Sequence, residues 1–520
     1  MMYSSHSFIS RTWCIMNRIL TFTILLLCVT AILTAGCTTT SASAQNSLGD
    51  TLLSQAEKEF QDNNLFAAGK LFRLAQENYT AAGDTALARK ARDRAMTARL
   101  MTFQFTSNRS VMDQQVTTFV PGASQSERAG LLDDTMIVTL KSDGEVWYHD
   151  DTVSNIFWHN MTLMRNARAA GNYTPFYDEL TPLAFAAPTS GTGPYSEPVA
   201  WEGLEELSVP RDQLPENGTL KLWIPLPVES GPQTNVTIVA VEPARYVTSM
   251  TGTGADLGLA YLEIPLEEIK EPFLNVTARF RFVQHNQHFT IDPAQVKPYN
   301  TSDPGYRKYT ASGKNIVITP EIQKKAQEIV GNETNPYFQV QKIYWYIVDT
   351  YPYSHPPLFL LEMTNMPLST FFLTTGIGDC GTQSQYFAAL CRSLGIPARV
   401  PVGYQTIIRD TPPGIHVWAE YYLEGYGWVP VDVTIAEGAE WSYNATENER
   451  HRYKEYFFGS LDPYRYIIQK DVDVPLTPDP GDAVVFSRNV FQNPDAVCDT
   501  CTDNPGIMLA EDWTVTLTNG

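Results

Sequence analysis

The hydrophobic period of this chain changes twice along its length, and each change limits what the segment can fold into. From Ser47 to about Phe105 apolar residues recur at helical spacing, as in AEKEFQDNNLFAAGKLFRLAQENYTAAGDTALARKARDRA, with breaks near Asn63 and at Gly83-Asp84. From about residue 196 to 292 the period is two. In FLNVTARFRFV, Leu274, Val276, Ala278, Phe280 and Phe282 hold one parity, whereas Asn275, Thr277, Arg279 and Arg281 hold the other, the pattern of a half-buried strand. TLKLWIPLP and NVTIVAVEP behave likewise, so several strands between turn residues predict a β-sandwich. Beyond residue 305 helix and strand patterns mix. Thr319-Pro320 opens a helix that buries Ile322, Ala326 and Ile329 and stops at Gly331; Asn335-Pro336 opens another with Val340, Ile343, Tyr344 and Ile347 inward. The expectation is a multidomain α+β chain, and its 520 residues allow about three folded units.

The predicted divisions are a leader over 1–37, a flexible tether over 38–46, the helical segment over 47–105 and a mixed region over 106–195. They continue with the sandwich over 196–292, an α+β core over 305–470 and an extended tail over 471–520. Within 106–195 the only legible elements are a helix face with Val153, Ile156, Phe157, Met161 and Met164, and the closing linker AAPTSGTGPYSEP. The helical segment resembles a tetratricopeptide unit plus the first helix of a next one. A stable array needs at least three repeats, so the expectation is a helical hairpin that packs on its neighbour or binds a protein partner.

Arg18 precedes an apolar run from Ile19 to Leu33 that ends in small residues and Cys37, a secretory pattern. Ala35-Gly36-Cys37 resembles a lipoprotein processing site, with Thr34 where the pattern usually has Leu. Lipid attachment at Cys37, an uncleaved membrane anchor and simple cleavage all fit, and all place the rest outside the cytoplasm, attached to the cell surface in the first two cases. Ten of the 25 asparagines (Asn78, Asn108, Asn160, Asn172, Asn217, Asn235, Asn275, Asn300, Asn332 and Asn444) stand in Asn-x-Ser/Thr triplets. Chance predicts about four, so the excess points to surface N-glycosylation or to a Thr-rich composition. The net charge is −20, or −22 without residues 1–37. This charge argues against nucleic acid as a partner, because phosphate binding requires clustered cations.

The chemistry falls between 305 and 440. In GIGDCGTQSQYFAALCRSLGIPARV, glycines 376, 378 and 381 flank Cys380, and Phe387, Leu390, Cys391 and Leu394 follow at helical spacing. Cys380 is thus expected at a helix N-terminus, where the exposed N–H groups and the positive end of the dipole favour a thiolate by about 0.3 to 1 kcal/mol. Asp379 opposes this, so a base is required. GIHVWAEYYLEGYGWVPVDVT supplies one. His416 and Trp418 share a strand face, and Trp428, Pro430 and Asp432 share a face of the next strand. Only an odd hairpin loop, three residues (424–426) or five (423–427), brings Asp432 onto the face that holds His416, because a one-residue slip inverts every side chain.

With these motifs on view, the Cys380 helix, LGIPARV, HVWAEYY and GWVPVDVT resemble the core of the transglutaminase-like superfamily. The resemblance implies a papain-like α+β core with Cys380 as nucleophile, His416 as general base and then acid, and Asp432 orienting the imidazole. It implies action on amide bonds of protein or peptide substrates, by hydrolysis or by cross-linking to an amine; a non-catalytic surface adhesion or assembly module is the alternative from another class. No cofactor motif is read. A metal at Cys380 and His416 is disfavoured, because no further ligand has suitable spacing. Tyr351, Tyr353 and His355 are read either as ordinary packing and loop residues or as a second oxyanion donor, and the polar run GTQSQ is a candidate to face the cleft. Cys391 is expected in the core, and Cys498-Asp-Thr-Cys501 reads as a local disulfide, as half of a shared metal site or as a redox pair.

Overall fold

The computed structural model describes residues 41–169, 193–406, 413–441, 445–486, 489–502, 505–506, 509 and 512–519. The leader with Cys37, and the sequons at Asn172 and Asn444, lie outside them.

Three helices open the described chain, Ala42–Gln61, Leu65–Ala82 and Thr85–Thr102. Gly83, at φ +80°, ends the second helix, and the Asp84 carboxylate caps the third by accepting from Leu87 N–H. Their interface sets Ala56, Ala68, Ala75, Ala91 and Ala95 against Phe72 and Tyr79, all buried. Small residues opposite large ones let the helices approach closely. No helix among the described residues is long and apolar enough to cross a membrane.

The segment that sequence left least legible holds a small sheet of β1 (Ser107–Asn108), β2 (Thr139–Ser142) and β3 (Glu145–Tyr148), then helices Thr152–His159 and Met161–Ala169. These two helices pack on the C-terminal core. Phe157, Trp158 and Met164 are buried in its main apolar cluster, and Asn155 exchanges two hydrogen bonds with the backbone of His355, at 3.1 and 2.7 Å.

The strand-rich segment comprises β4 (Tyr195–Pro210), β5 (Thr219–Pro225), β6 (Gln233–Glu242), β7 (Val247–Met250), β8 (Leu259–Pro265) and β9 (Phe273–His288). The C-terminal core adds β10 (Ala398–Arg399), β11 (Val402–Gln405), β12 (Gly414–Val417), β13 (Ala419–Leu423), β14 (Gly427–Val431), β15 (Ser460–Leu461) and β16 (Arg465–Gln469). The last strands are β17 (Asp495–Cys498) and β18 (Trp513–Asn519). One five-stranded sheet runs β15-β9-β4-β18, with β6 on β9, and a four-stranded sheet runs β17-β5-β8-β7. Residues of both sheets share one apolar cluster, in which Leu274, Val276, Ala278, Phe280 and Phe282 are all buried.

The expected extended tail over 471–520 is corrected by this topology. β17 pairs with β5 (Cys498↔Leu220) and β18 with β4 (Trp513↔Leu207), each closing a sheet edge. The physical reason lies in WTVTLTN: Trp513 and Val515 point into the core, while Thr514 and Thr516 are exposed. A period-two run beside unpaired edge N–H and C=O groups is drawn into the ladder.

The C-terminal core places the two expected helices at Pro320–Val330 and Pro336–Thr350, capped by Thr319 and Asn335. They pack on the helix Cys380–Ser393, which is buried along most of its length. Against it lie two three-stranded sheets, β12-β11-β16 and β10-β13-β14.

Candidate active site

Cys380 is the first residue of its helix. Asp379 caps it, accepting from Thr382 N–H at 2.9 Å. The preceding Gly378 is locked to Ser354 by two hydrogen bonds, Ser354 N–H to Gly378 O at 3.0 Å and Gly378 N–H to Ser354 Oγ at 2.9 Å. A Cβ on Gly378 would lie 2.5 Å from the Phe372 ring, so only glycine lets the turn approach this closely. The Cys380 thiol is half-buried by exposed area. Burial, and then Asp379, push its pKa up, against backbone hydrogen bonds from Val417 and Gly381. Desolvation thus outweighs the helix terminus, and the thiol needs a base to lose its proton.

His416 lies on β12, opposite Gly403 of β11. Trp418 breaks the strand, so β12 and β13 belong to different sheets. The hairpin that follows pairs Leu423 with Gly427 and Ala419 with Val431. Its loop, 424–426, is therefore three residues long, and Gly425 and Gly427 take φ +98° and +91° there. This is the odd register. Extended by one pair it sets Asp432 opposite Trp418, and His416 Nε2 meets Asp432 Oδ2 at 2.8 Å. With Nε2 committed to Asp432, Nδ1 is the nitrogen free to exchange a proton with a thiol.

Asp432 has further partners. Its Oδ1 caps the helix Val433–Glu437, accepting from Ile435 N–H at 3.2 Å, and its Oδ2 also accepts from Arg465 Nη1 at 2.9 Å. Burial pushes the Asp432 carboxyl up, but His416 and Arg465 more than offset it and hold it below the usual carboxylate range. Arg465 is fully buried, bonds Asp462 with its other arm, and lies over the Trp418 ring at 4.9 Å.

The run Gly381-Thr382-Gln383-Ser384-Gln385 is buried throughout and does not line an open cleft as expected. Neighbours cover the helix on all sides, and Gln383 Nε2 donates inward to Gly378 O at 3.2 Å and to Glu437 Oε2 at 3.1 Å. Burial holds Glu437 protonated well above the usual carboxylate range. Of the oxyanion candidates, Tyr351 packs on Phe372 at 4.7 Å with its hydroxyl on Tyr346, whereas Tyr353 and His355 join Trp158 and Trp441 in an aromatic cluster. Cys391 is buried and free, and Cys498 and Cys501 are joined in a disulfide. Among the described residues no group of three or more His, Cys, Asp or Glu is arranged to hold a metal ion.

Sequence reasoning missed Arg465 and Gln492. Gln492 Nε2 donates to Gly403 O at 2.8 Å and to His416 O at 3.0 Å, pinning the backbone beneath the imidazole. The available signal for Arg465 was a lone arginine at the head of the apolar run YIIQ.

Residues 323–433 match the model of the transglutaminase-like superfamily. A protein of Haemophilus influenzae (strain ATCC 51907 / DSM 11121 / KW20 / Rd), described only as uncharacterized, is 27% identical over 260 residues, covering 44% of this chain. The chain spans 66% of that relative's length, just under two thirds. Among solved structures, a candidate cysteine protease from Cytophaga hutchinsonii is 15% identical, aligning 62% of this chain with 99% of its own at a TM-score of 0.37. The periplasmic domain of TgpA from Pseudomonas aeruginosa is 16% identical, aligning 54% of this chain with 97% of its own at a TM-score of 0.23. The family match supports a thiol enzyme in the broad sense. The chain carries a transglutaminase-like domain at residues 323–433, and Cys380, His416 and Asp432 all lie within it.

Proposed function

We propose that this chain hydrolyses amide bonds of proteins or peptides through a Cys380-His416-Asp432 triad. The observation that carries the reading is the buried His416 Nε2–Asp432 Oδ2 pair at 2.8 Å, with His416 next to Val417, whose backbone hydrogen-bonds Cys380. His416 takes the thiol proton, and the sulfur attacks the carbonyl carbon to form a C–S bond. The Cys380 N–H, at the head of its helix and without an intrahelical acceptor, is positioned to bind the oxyanion. His416 returns its proton to the leaving nitrogen as the C–N bond breaks. Water, deprotonated by His416, then attacks the thioester and releases the acid together with the thiol. Water is the default acceptor.

The enzyme is proposed to act outside the cytoplasm, tethered through Cys37 or an uncleaved leader. Six of the sequon asparagines, Asn160, Asn217, Asn235, Asn275, Asn300 and Asn332, are exposed, and Asn78 and Asn108 are half-buried, which supports glycan attachment at the surface. One experiment tests both proposals. The native protein is recovered from the membrane fraction, its Cys37 and Asn peptides are read by mass spectrometry, and a surface-protein extract is incubated with it or with Cys380→Ala. New peptide termini are expected with the wild type alone. Cross-linked peptides instead would establish amine transfer, and the absence of both would leave a non-catalytic surface module. A protein found only in the soluble cytoplasm would refute the location.

A further inference from the structure

Arg465 stands outside the matched residues 323–433, on β16. β11 lies between β16 and β12, with Gln405 opposite Arg465 and Gly403 opposite both Ile467 and His416. Directly paired residues share a face, so Arg465 and His416 project on the same side of the sheet, toward Asp432. Asp432 Oδ2 accepts from both, at 2.9 Å from Arg465 Nη1 and 2.8 Å from His416 Nε2. All three side chains are enclosed, with Arg465 and Asp432 at 0% exposure and His416 at 7%. Asp462 binds the other arm of the guanidinium, and Trp418 covers its face.

Burial favours the neutral form of a carboxyl in such surroundings, and His416, Arg465 and the Ile435 N–H oppose it at Asp432. Several groups act on the cluster besides Arg465. Asp379 heads the Cys380 helix, Glu437 comes from the helix that Asp432 caps, Tyr344 comes from Pro336–Thr350, and Asp462 precedes β16. Lys454 lies beyond Glu437. Among the described residues, Arg465 is the permanent cation in contact with Asp432.

We propose that Arg465 is a positioning residue that holds Asp432 as the carboxylate orienting His416, and so sets the pH range in which Cys380 reacts. This rests on the triad reading above. Removing a nearby cation favours protonation of every neighbouring acid, so the pH at which Cys380 becomes reactive must rise. Removing the competing anion Asp462 must lower it.

The test uses the full chain and its Arg465→Met, Arg465→Lys, Asp462→Asn and His416→Ala variants. The rate of iodoacetamide modification at Cys380, located by peptide mapping, is followed from acid to alkaline pH, with thermal melting recorded for each. Arg465→Met is expected to shift the midpoint up by about one pH unit, which slows the reaction about 10-fold on the acid side. Arg465→Lys is expected to restore most of the shift, and Asp462→Asn to move the midpoint down. A purely structural role would lower the melting temperature and leave the midpoint in place, which overturns the proposal. If Arg465→Met does not fold, the Asp462→Asn midpoint decides, and its failure to move down also overturns it. A wild-type Cys380 no faster than a model thiol and indifferent to His416→Ala refutes the triad itself. Rapid, His416-dependent modification with an unmoved Arg465→Met midpoint refutes the role of Arg465 alone.

Discussion

Asp432 caps a helix with one oxygen and binds an imidazole and a guanidinium with the other. The same side chain therefore supports the fold and, in the proposed mechanism, orients His416, and Asp432→Asn tests both. The amide keeps the shape but loses the charge, and its NH₂ group favours the wrong imidazole tautomer at His416. Modification of Cys380 at neutral pH is expected to fall at least about 100-fold, as for triads in general. Arg465 would keep only Asp462 as a partner, at a cost of up to about 3 kcal/mol, read as a lower denaturant midpoint. Unchanged reactivity in a folded variant would remove Asp432 from the mechanism. At this scale the sequence was informative where a residue sat inside a motif. Cys380 stood at a glycine-flanked helix start, and His416 and Asp432 stood on alternating strands. Arg465 had no such frame, because YRYIIQ reads as packing and nothing local shows which carboxylate a buried arginine will meet. The run at 381–385 misled for a related reason: polar residues normally face water, but here Gln383 spends its amide on Gly378 and on protonated Glu437.

The element that decides the geometry is the strand pair rather than any single residue. Hydrophobic alternation made β13 and β14 visible, but it could not count their loop. The three-residue turn, with positive-φ glycines at Gly425 and at the first residue of β14, Gly427, supplied the register. Its neighbour β11 is placed by a closer constraint. A Cβ on Gly403 would lie 1.8 Å from the Tyr466 carbonyl oxygen, where the β11–β16 pairing shifts register. Gly403→Ala must therefore push β16 away from β11, moving Arg465 relative to His416. The expected cost is about 1 to 3 kcal/mol, as for other overpacked sites, together with slower modification of Cys380, measured by urea unfolding and iodoacetamide kinetics. A variant as stable and as reactive as wild type would show that the two strands separate freely. β17 and β18 escaped the sequence reading because each is short and lies far along the chain from its partner. Only WTVTLTN carried an alternation that a search for edge strands would have found.

For the molecule as a whole, the sheet that carries His416 is a wall between two apolar cores. Val402, Val417 and Ile467 belong to the apolar cluster of the C-terminal core, while Tyr404, Tyr466 and Ile468 belong to the cluster of the two large sheets. Composition and period divide the chain into segments but do not reveal such a shared wall, because each strand looks complete in its own neighbourhood. Glu205 on β4 marks the junction. Its side chain is 0% exposed and accepts from Tyr466 OH at 3.0 Å, and burial raises its carboxyl well above the usual range. Glu205 therefore keeps its proton to higher pH in the folded protein than in the unfolded chain. A raised folded-state pKa contributes stability that is complete below the unfolded value near 4.5 and is lost as pH rises toward the folded value. The loss has a limiting slope of about 1.4 kcal/mol per pH unit. Glu205→Gln keeps an acceptor for Tyr466 and removes the titration. Its melting temperature is therefore expected to fall less steeply than that of the wild type between pH 5 and 8, so that any deficit at acid pH shrinks or reverses at alkaline pH. Because Tyr466 is adjacent to Arg465 on β16, the same variant is also expected to flatten any loss of Cys380 reactivity that accompanies alkaline loosening of the wall. Parallel melting curves for the two proteins across that range would show that Glu205 does not titrate on unfolding.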